Sequence, residues 1–332
     1  MLSWLLRSLP RFPLGRTWKP LNFSNPNFGR ISASQTVEEE TLPDYIASRY
    51  HPTRIGEIIK DRYQVIGKVG YGTTSTVWLA RDMNCRSYVT LKIFIKAASM
   101  GHQLDSELKM YQRLDRASKH PGRRAIRSLL DSFHIEGPED NHQCLVHPPL
   151  FESVWEFLHH IKANNIMFEL ADDSVFIKSE DDELQNPSPR KELDGRASYL
   201  SRELEILPGK IGAPVLCDFG SATFGSIEHS EDVQPDIYRA PEVILEVPWS
   251  YSIDIWNVGC MIWNIFEGGS LFTGHDPEFK AYRSRAHLAE MINLLGPPPP
   301  GLLARGKQTQ RFFSGTGEFR EATLLQNMTP LE

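Results

Sequence analysis

The residues best suited to chemistry are Cys217-Asp218-Phe219-Gly220, which run on to Tyr238-Arg239-Ala240-Pro241-Glu242. An aspartate that ends an apolar run (Pro214 to Cys217) can ligate Mg²⁺ bridging the phosphates of ATP, and the glycine after it lets the chain turn sharply. Alone, such a tripeptide is an ordinary strand-end turn. Here other phosphate-directed residues precede it. Gly70-Tyr71-Gly72-Thr73-Thr74-Ser75-Thr76-Val77 sets two glycines two apart, which lets backbone N–H groups come close to phosphate oxygens. The nucleotide-binding candidates are Val69, Gly70, Tyr71, Gly72, Thr73, Thr74, Ser75, Val77 and Lys92. Lys92, in Thr90-Leu91-Lys92, is spaced to pair with the α- and β-phosphates, and Glu107 is placed to ion-pair with Lys92. Singly, a strand lysine is a surface charge and a helix glutamate a solvated one. Their order along the chain favours phosphoryl transfer with ATP and Mg²⁺.

These residues need elements to hold them. Asp61 to Lys96 reads as three strands: Tyr63, Val65 and Ile66 open the first, Val77, Trp78 and Leu79 form the second, and Val89, Leu91 and Ile93 alternate in the third. Leu104, Leu108, Tyr111 and Leu114 recur on one side of a helix that carries Glu107. Arg127 to Phe133 and Gln143 to His147 read as two further strands, giving five in all. His147-Pro148-Pro149-Leu150 reads as a rigid connector. Residues 171 to 205 are polar and acidic, with Glu180-Asp181-Asp182-Glu183, and are expected to be a disordered or loosely packed insert; an acidic docking site for a basic peptide is the sharper alternative. Ile253 to Phe266 predicts an apolar helix with Asp254 near its start, where an aspartate is a good cap. His287 to Leu295 predicts another, ending at Gly296 and a proline run. The last thirty or so residues show no apolar period.

With 332 residues, the chain can hold one large domain or two lobes. An apolar share of 40% is ordinary for a globular protein. No stretch approaches the roughly 20 apolar residues of a membrane span. A net charge of −6 argues mildly against direct nucleic-acid binding and suits a basic protein substrate. Cys85, Cys144, Cys217 and Cys260 are scattered, as reduced thiols of an intracellular protein would be. Residues 1 to 37 carry Arg7, Arg11, Arg16, Lys19 and Arg30 and no acidic residue, a composition that resembles a mitochondrial presequence as much as a disordered basic tail. Glu38-Glu39-Glu40 marks a change to an acidic linker. The expected organisation is a basic N-terminus (1–41), a sheet-rich lobe (42–147), a helical lobe (148–296) and an irregular tail (297–332).

From Leu42 to Leu295 the chain resembles eukaryotic protein kinases of the SR-protein kinase branch, with wording like that of fungal members. The carriers are Gly70 to Asp82, Ile161-Lys162-Ala163-Asn164-Asn165-Ile166, Asp218-Phe219-Gly220-Ser221-Ala222 and Asp232 to Glu242. The resemblance implies an α+β, two-lobed kinase fold with a five-stranded N-lobe and an incomplete, mainly helical C-lobe. It implies a serine/threonine kinase that uses ATP and Mg²⁺ on Arg/Ser-rich protein substrates, as a monomer, in cytoplasm or nucleus. It also implies that Asn165 and Asp218 hold the metal, that Lys162 neutralises charge on the transferring group, and that Asp254 holds the backbone of the catalytic loop.

Three departures qualify it. The third glycine of the usual loop is Ser75. The position of the catalytic aspartate holds His160, and no aspartate lies between Asp140 and Asp172. A neutral imidazole can accept a proton, but with a different reach. Finally, the dozen residues between His147 and His160 would span only about 18 Å as helix, too little for the long central helix of the lobe. The sequence resumes in register at Ile161, a clean jump that looks like an omitted exon or a gene-model error. Removing that helix should bare the apolar face of Ile253 to Phe266. Two functions stay open: an active kinase represented here incompletely, and a pseudokinase that binds nucleotide or acts as a scaffold without transfer.

Overall fold

Strands with apolar side chains on both faces need cover on both, and this requirement organises the first half of the molecule. The computed structural model describes residues 17–100, 103–116, 120–153, 165–205, 209–225 and 227–325. They fall into two compact units, one made of the described residues up to Ser153 and from Asn165 to Ala222, the other of those from Thr223 onward.

In the first unit the strands are β1 (Ile58–Ile59), β2 (Tyr63–Tyr71), β3 (Ser75–Asp82), β4 (Ser87–Lys96), β5 (Asp131–Glu136) and β6 (Asn141–His147). They form one antiparallel sheet in the order β1-β2-β3-β4-β6-β5. The five expected strands are all present, and the two-residue β1 adds a sixth at the edge. β5 begins at Asp131, not Arg127, because the preceding residues run alongside Leu216 instead. β4 continues into α1 (Ala97–Met100) and α2 (Gln103–Arg116), the predicted helix.

Successive strand residues face opposite sides. Val65, Trp78, Ala80, Val89, Leu91, Ile93, Cys144 and Val146 pack on one face. Ile66, Leu79 and Tyr88 form one cluster on the other, and Phe94 and Leu145 join Tyr111 of α2 in a second. The acidic stretch of residues 171–205 supplies much of the cover and is folded, contrary to expectation. It forms α3 (Ser174–Gln185), then a hairpin of two strands, Arg190–Leu193 and Arg196–Tyr199. Phe176 of α3 joins the cluster of Ile66 and Leu79, while Tyr199 of the hairpin joins the cluster on the opposite face. Burying one such side chain is worth roughly 1.5–3 kcal/mol, which helps to order a short polar segment that has no core of its own. Three of the four carboxylates in the acidic run are already paired, which leaves little for a basic peptide to meet. Glu180 pairs with Arg81 at 3.0 Å, Asp182 with Lys178, and Glu183, buried, with Arg202 at 2.6 Å.

Of the basic N-terminal stretch, residues 1–16 lie outside the described residues. From Trp18 onward it packs on the sheet: the Trp18 amide donates to the Met83 carbonyl, and the Arg81 guanidinium lies over the Trp18 ring. The expected acidic linker is likewise built in. Glu38–Thr41 is a 3₁₀ turn, and the carboxylates of Glu38 and Glu39 meet Lys68 of β2, whose side chain is only 1% exposed. Breaking a buried pair of this kind costs about 3–5 kcal/mol.

A smaller sheet joins β7 (Phe151–Ser153), β8 (Ile166–Leu170) and, after the hairpin strands β9 and β10 given above, β11 (Ile211–Leu216), in the order β11-β8-β7. The proline connector 148–150 leads from β6 into β7.

The second unit contains α4 (Pro241–Ile244), α5 (Ser252–Glu267), a two-stranded ribbon of β12 (His275–Asp276) and β13 (Ala281–Tyr282), α6 (Ser284–Leu295), α7 (Pro300–Arg305) and α8 (Thr309–Phe312). Its core gathers Tyr238, Leu245, Val247, Cys260, Phe272, Leu288, Met291 and Phe313. The end of the chain thus contributes core residues despite lacking an apolar period, because its two helices are too short to show one. Asp254 lies inside the first turn of α5, which has no side-chain cap. The catalytic-loop residues that Asp254 was expected to hold, His160 and Lys162 among them, lie outside the described residues. No helix among the described residues is long and apolar enough to cross a membrane.

Packing gives this fold two measurable properties. Ile255, Val258, Ile262 and Phe266 make an apolar stripe on α5, with Ile255 68% and Phe266 82% exposed. The protein should bind a hydrophobic dye and aggregate on concentration, and Ile255→Lys with Phe266→Lys should lower both while far-ultraviolet circular dichroism stays the same. Burial holds His147 down to about 3, and His51 and His287 down to about 4, below the ordinary 6.5. Between those values the unfolded chain binds protons that the folded chain does not, so the stability contribution is full above about 6.5 and is lost as pH falls toward 4. The urea midpoint should fall from pH 7 to pH 5, and His147→Leu should flatten that slope; a midpoint independent of pH would contradict the assignment.

Candidate nucleotide site

The register of the large sheet lines up the first set of candidates. Gly70 of β2 lies opposite Val77 of β3, Val77 opposite Lys92 of β4, and Lys92 opposite Leu145 of β6. Directly paired residues share a face, so Val77 and Lys92 project to the side on which α2 packs. Between β2 and β3 the chain reverses through Gly72-Thr73-Thr74-Ser75, closed by the Gly72 amide donating to the Ser75 carbonyl at 2.8 Å. The Thr74 carbonyl accepts from the Ile95 amide at 2.9 Å, tying the turn to the end of β4. Among the described residues, the Thr73 and Thr74 amides have no protein acceptor.

Two carboxylates meet at the Lys92 ammonium. It donates to both oxygens of Glu107 on α2, at 2.9 and 3.0 Å, and to Asp218 Oδ1 at 3.1 Å. Glu107 is 1% exposed. Desolvation raises its pKa, and Lys92 opposes the rise. The pair survives burial because each partner is satisfied by the other; an isolated carboxylate there would take up a proton.

Asp218 is placed by the small sheet. β11 pairs with β8, Leu216 opposite Ile166, and the Cys217 amide donates to the Asn165 carbonyl at 2.7 Å. Asn165 and Asp218 are therefore neighbours at the ends of paired strands. Asp218 has φ 58°, a left-handed conformation that aspartate tolerates better than most residues. Its side chain is 55% exposed, and only Oδ1 has a protein partner among the described residues. A carboxylate oxygen left open beside an asparagine suits a hard, oxygen-seeking cation such as Mg²⁺.

The residues after Asp218 lock it in place. Phe219 meets the Tyr111 ring edge-on at 5.2 Å, and Tyr111 in turn meets His147 at 4.9 Å. A Cβ on Gly220 would lie 3.2 Å from Glu107 Oε2 and 3.4 Å from Asp218 Oδ1, so a glycine serves the close approach.

The structure thus brings together Lys92, Glu107 and Asp218, with the Asn165 backbone beside the strand end that carries Asp218, while Val69, Gly70, Tyr71, Gly72, Thr73, Thr74, Ser75 and Val77 lie on or beside the β2–β3 turn. His160 and Lys162 are outside the described residues. Sequence reading misses Arg127, whose partly buried guanidinium donates to the Pro148 carbonyl at 2.9 and 3.2 Å. In sequence it reads as a strand residue; nothing local marks it, because its partner is 21 positions away.

Comparison with known proteins finds protein kinases. A family model described as protein kinase domain matches residues 206–310. A serine/threonine protein kinase of Aspergillus fumigatus is 35% identical over 89% of this chain and 80% of its own length. The serine/threonine-protein kinase SRPK of Physarum polycephalum is 29% identical over 85% and 78%. The mouse dual specificity protein kinase CLK2 is 28% identical over 87% of this chain and 57% of its own length. A solved structure titled as the kinase domain of PF14_0431 has a TM-score of 0.60 at 20% identity, with 83% of each chain covered; at that identity the likeness is one of fold. With a sheet-rich lobe that holds the Lys92, Glu107 and Asp218 charges and a relative this similar over most of both chains, the protein belongs to the serine/threonine protein kinase family.

Proposed function

We propose that the first unit binds ATP with Mg²⁺ and that the chain is a serine/threonine kinase of the SR-protein kinase type, weakened or silenced by its own catalytic loop. The observation that carries the nucleotide reading is the Lys92–Glu107–Asp218 cluster with its open Asp218 oxygen, together with a turn whose Thr73 and Thr74 amides lack acceptors among the described residues. In this reading Lys92 orients the α- and β-phosphates, and Glu107 holds Lys92 in place. Asn165 and Asp218 hold the metal, and the backbone from Gly70 to Ser75 covers the phosphates, with Val69 and Val77 beside the base. ATP bound with Mg²⁺ supplies the phosphoryl group for transfer to a hydroxyl of a protein substrate. Lys162 offsets charge on that group. His160 occupies the position from which a carboxylate orients the substrate hydroxyl and takes its proton, and mispositioning alone costs orders of magnitude in rate.

An Arg/Ser-rich substrate is supported by the family resemblance and by a net charge of −6. The pseudokinase alternative is favoured by His160 and by the short stretch between His147 and His160.

The test separates binding from transfer. Purified protein should bind ATP in a Mg²⁺-dependent manner, and Lys92→Ala should weaken this at least about tenfold. Transfer to an Arg/Ser peptide should fall at least about a hundredfold below the roughly 1–100 s⁻¹ usual for kinases, and His160→Asp should raise it. Absence of nucleotide binding would sink the whole reading. Ordinary turnover that is lost in Lys92→Ala would sink the claim of weakened transfer. Binding with no transfer even in His160→Asp would favour the pseudokinase.

A further inference from the structure

Tyr50 belongs to none of the motifs, yet it touches the glycine turn directly. It follows a 3₁₀ turn, Ala47–Arg49, in the segment ahead of the sheet. The residue is 4% exposed, packed with Phe94, Ile95, Tyr111 and Leu145. Its hydroxyl reaches two successive carbonyl oxygens of the turn, Gly72 at 3.2 Å and Thr73 at 3.0 Å. A phenol has one proton, so the two carbonyls share it. Desolvation raises the pKa of this hydroxyl, which keeps it a donor.

Peptide planarity gives the contact a consequence. In a trans peptide the carbonyl and the following N–H point in opposite directions. Drawing the Gly72 and Thr73 carbonyls toward Tyr50 turns the Thr73 and Thr74 amides the other way. Neither of these amides has a protein acceptor among the described residues. Successive amides turned to one side make a concave site for an anion.

Tyr50 is itself held. Its carbonyl accepts from Arg196 of β10 at 2.8 Å, and the same guanidinium reaches the His51 carbonyl at 3.4 Å. Ser198 and Lys191 of the hairpin bond to Glu40, just ahead of this segment. The hairpin therefore supports Tyr50 from behind while Tyr50 supports the turn.

We propose that Tyr50 is a positioning residue for phosphate binding: its hydroxyl holds back the Gly72 and Thr73 carbonyls so that the Thr73 and Thr74 amides face the phosphates of a nucleotide, and the β9–β10 hairpin sets Tyr50 through Arg196. The phosphate half of this inference rests on the nucleotide reading above; the turn-holding half does not.

Tyr50→Phe removes the hydroxyl and keeps the packed ring. In the free protein, amide hydrogen exchange over residues 72–75 should rise, while exchange in the cores of β3 and β4 stays the same. ADP with Mg²⁺ should bind about five- to tenfold more weakly, the order expected for losing one shared hydrogen bond. Adenosine, which has no phosphate, should bind within about twofold of the unaltered protein. Arg196→Ala should reproduce both effects in smaller measure. Unchanged exchange at residues 72–75 would overturn the turn-holding role. Equal losses for adenosine and ADP, or no loss for either, would overturn the phosphate role. If the unaltered protein bound no ADP, the nucleotide reading would fail, and exchange would still decide whether Tyr50 holds the turn.

Discussion

One ammonium group ties together three pieces of chain that are far apart in sequence. Lys92 Nζ joins the third long strand of the sheet, the helix that carries Glu107 and the segment after β11 that carries Asp218. Each element must sit within hydrogen-bond reach of the same point. If the helix moves, Glu107 is left as a buried carboxylate without its counterion, which is far costlier than losing a surface pair. The placement of α2 against the sheet is thus set by a charge as well as by the apolar contacts of Tyr111 with Phe94 and Leu145. The aromatic run from His147 through Tyr111 to Phe219 reinforces the same geometry from the apolar side.

A second constraint comes from the sheet. Both of its faces are apolar, and α2 covers only part of one. The acidic insert and the N-terminal segment provide much of the rest, and they do so by satisfying charges in pairs: Lys68 with Glu38 and Glu39, Lys191 with Glu40, Arg202 with Glu183. A composition that reads as solvated linker is in fact a set of counterions for buried and half-buried cations. Through Tyr50 and Arg196 the same cover reaches the glycine turn, so parts of the chain with no motif of their own touch the residues that do.

Much of the candidate site is legible in the sequence because it depends on local spacing. Glycines two apart, a lysine on an alternating strand, a glutamate on a helix face and an aspartate at a strand end each have a short-range reason, and Lys92, Glu107 and Asp218 do meet. The α5 and α6 helices are legible from their apolar runs, with starts displaced by one and three residues. The insert misleads because Phe176 and Tyr199 look like isolated apolar residues in a polar stretch; only the sheet gives them something to pack on. Arg127 misleads because its β-like neighbours align with β11 rather than with the large sheet.

The sequence by itself determined the kind of chemistry and the order of the residues that could perform it, along with the substitution at His160, since residue type and spacing need no partner to be read. The tertiary structure alone decided which charges are buried, which faces of the sheet are covered and what holds the glycine turn. Those depend on contacts such as Arg196 with Tyr50, 146 positions apart, and Ser201 with Glu38, 163 apart. No periodicity spans such distances: only closing the chain on itself brings those groups together, and burial then makes the pairing obligatory.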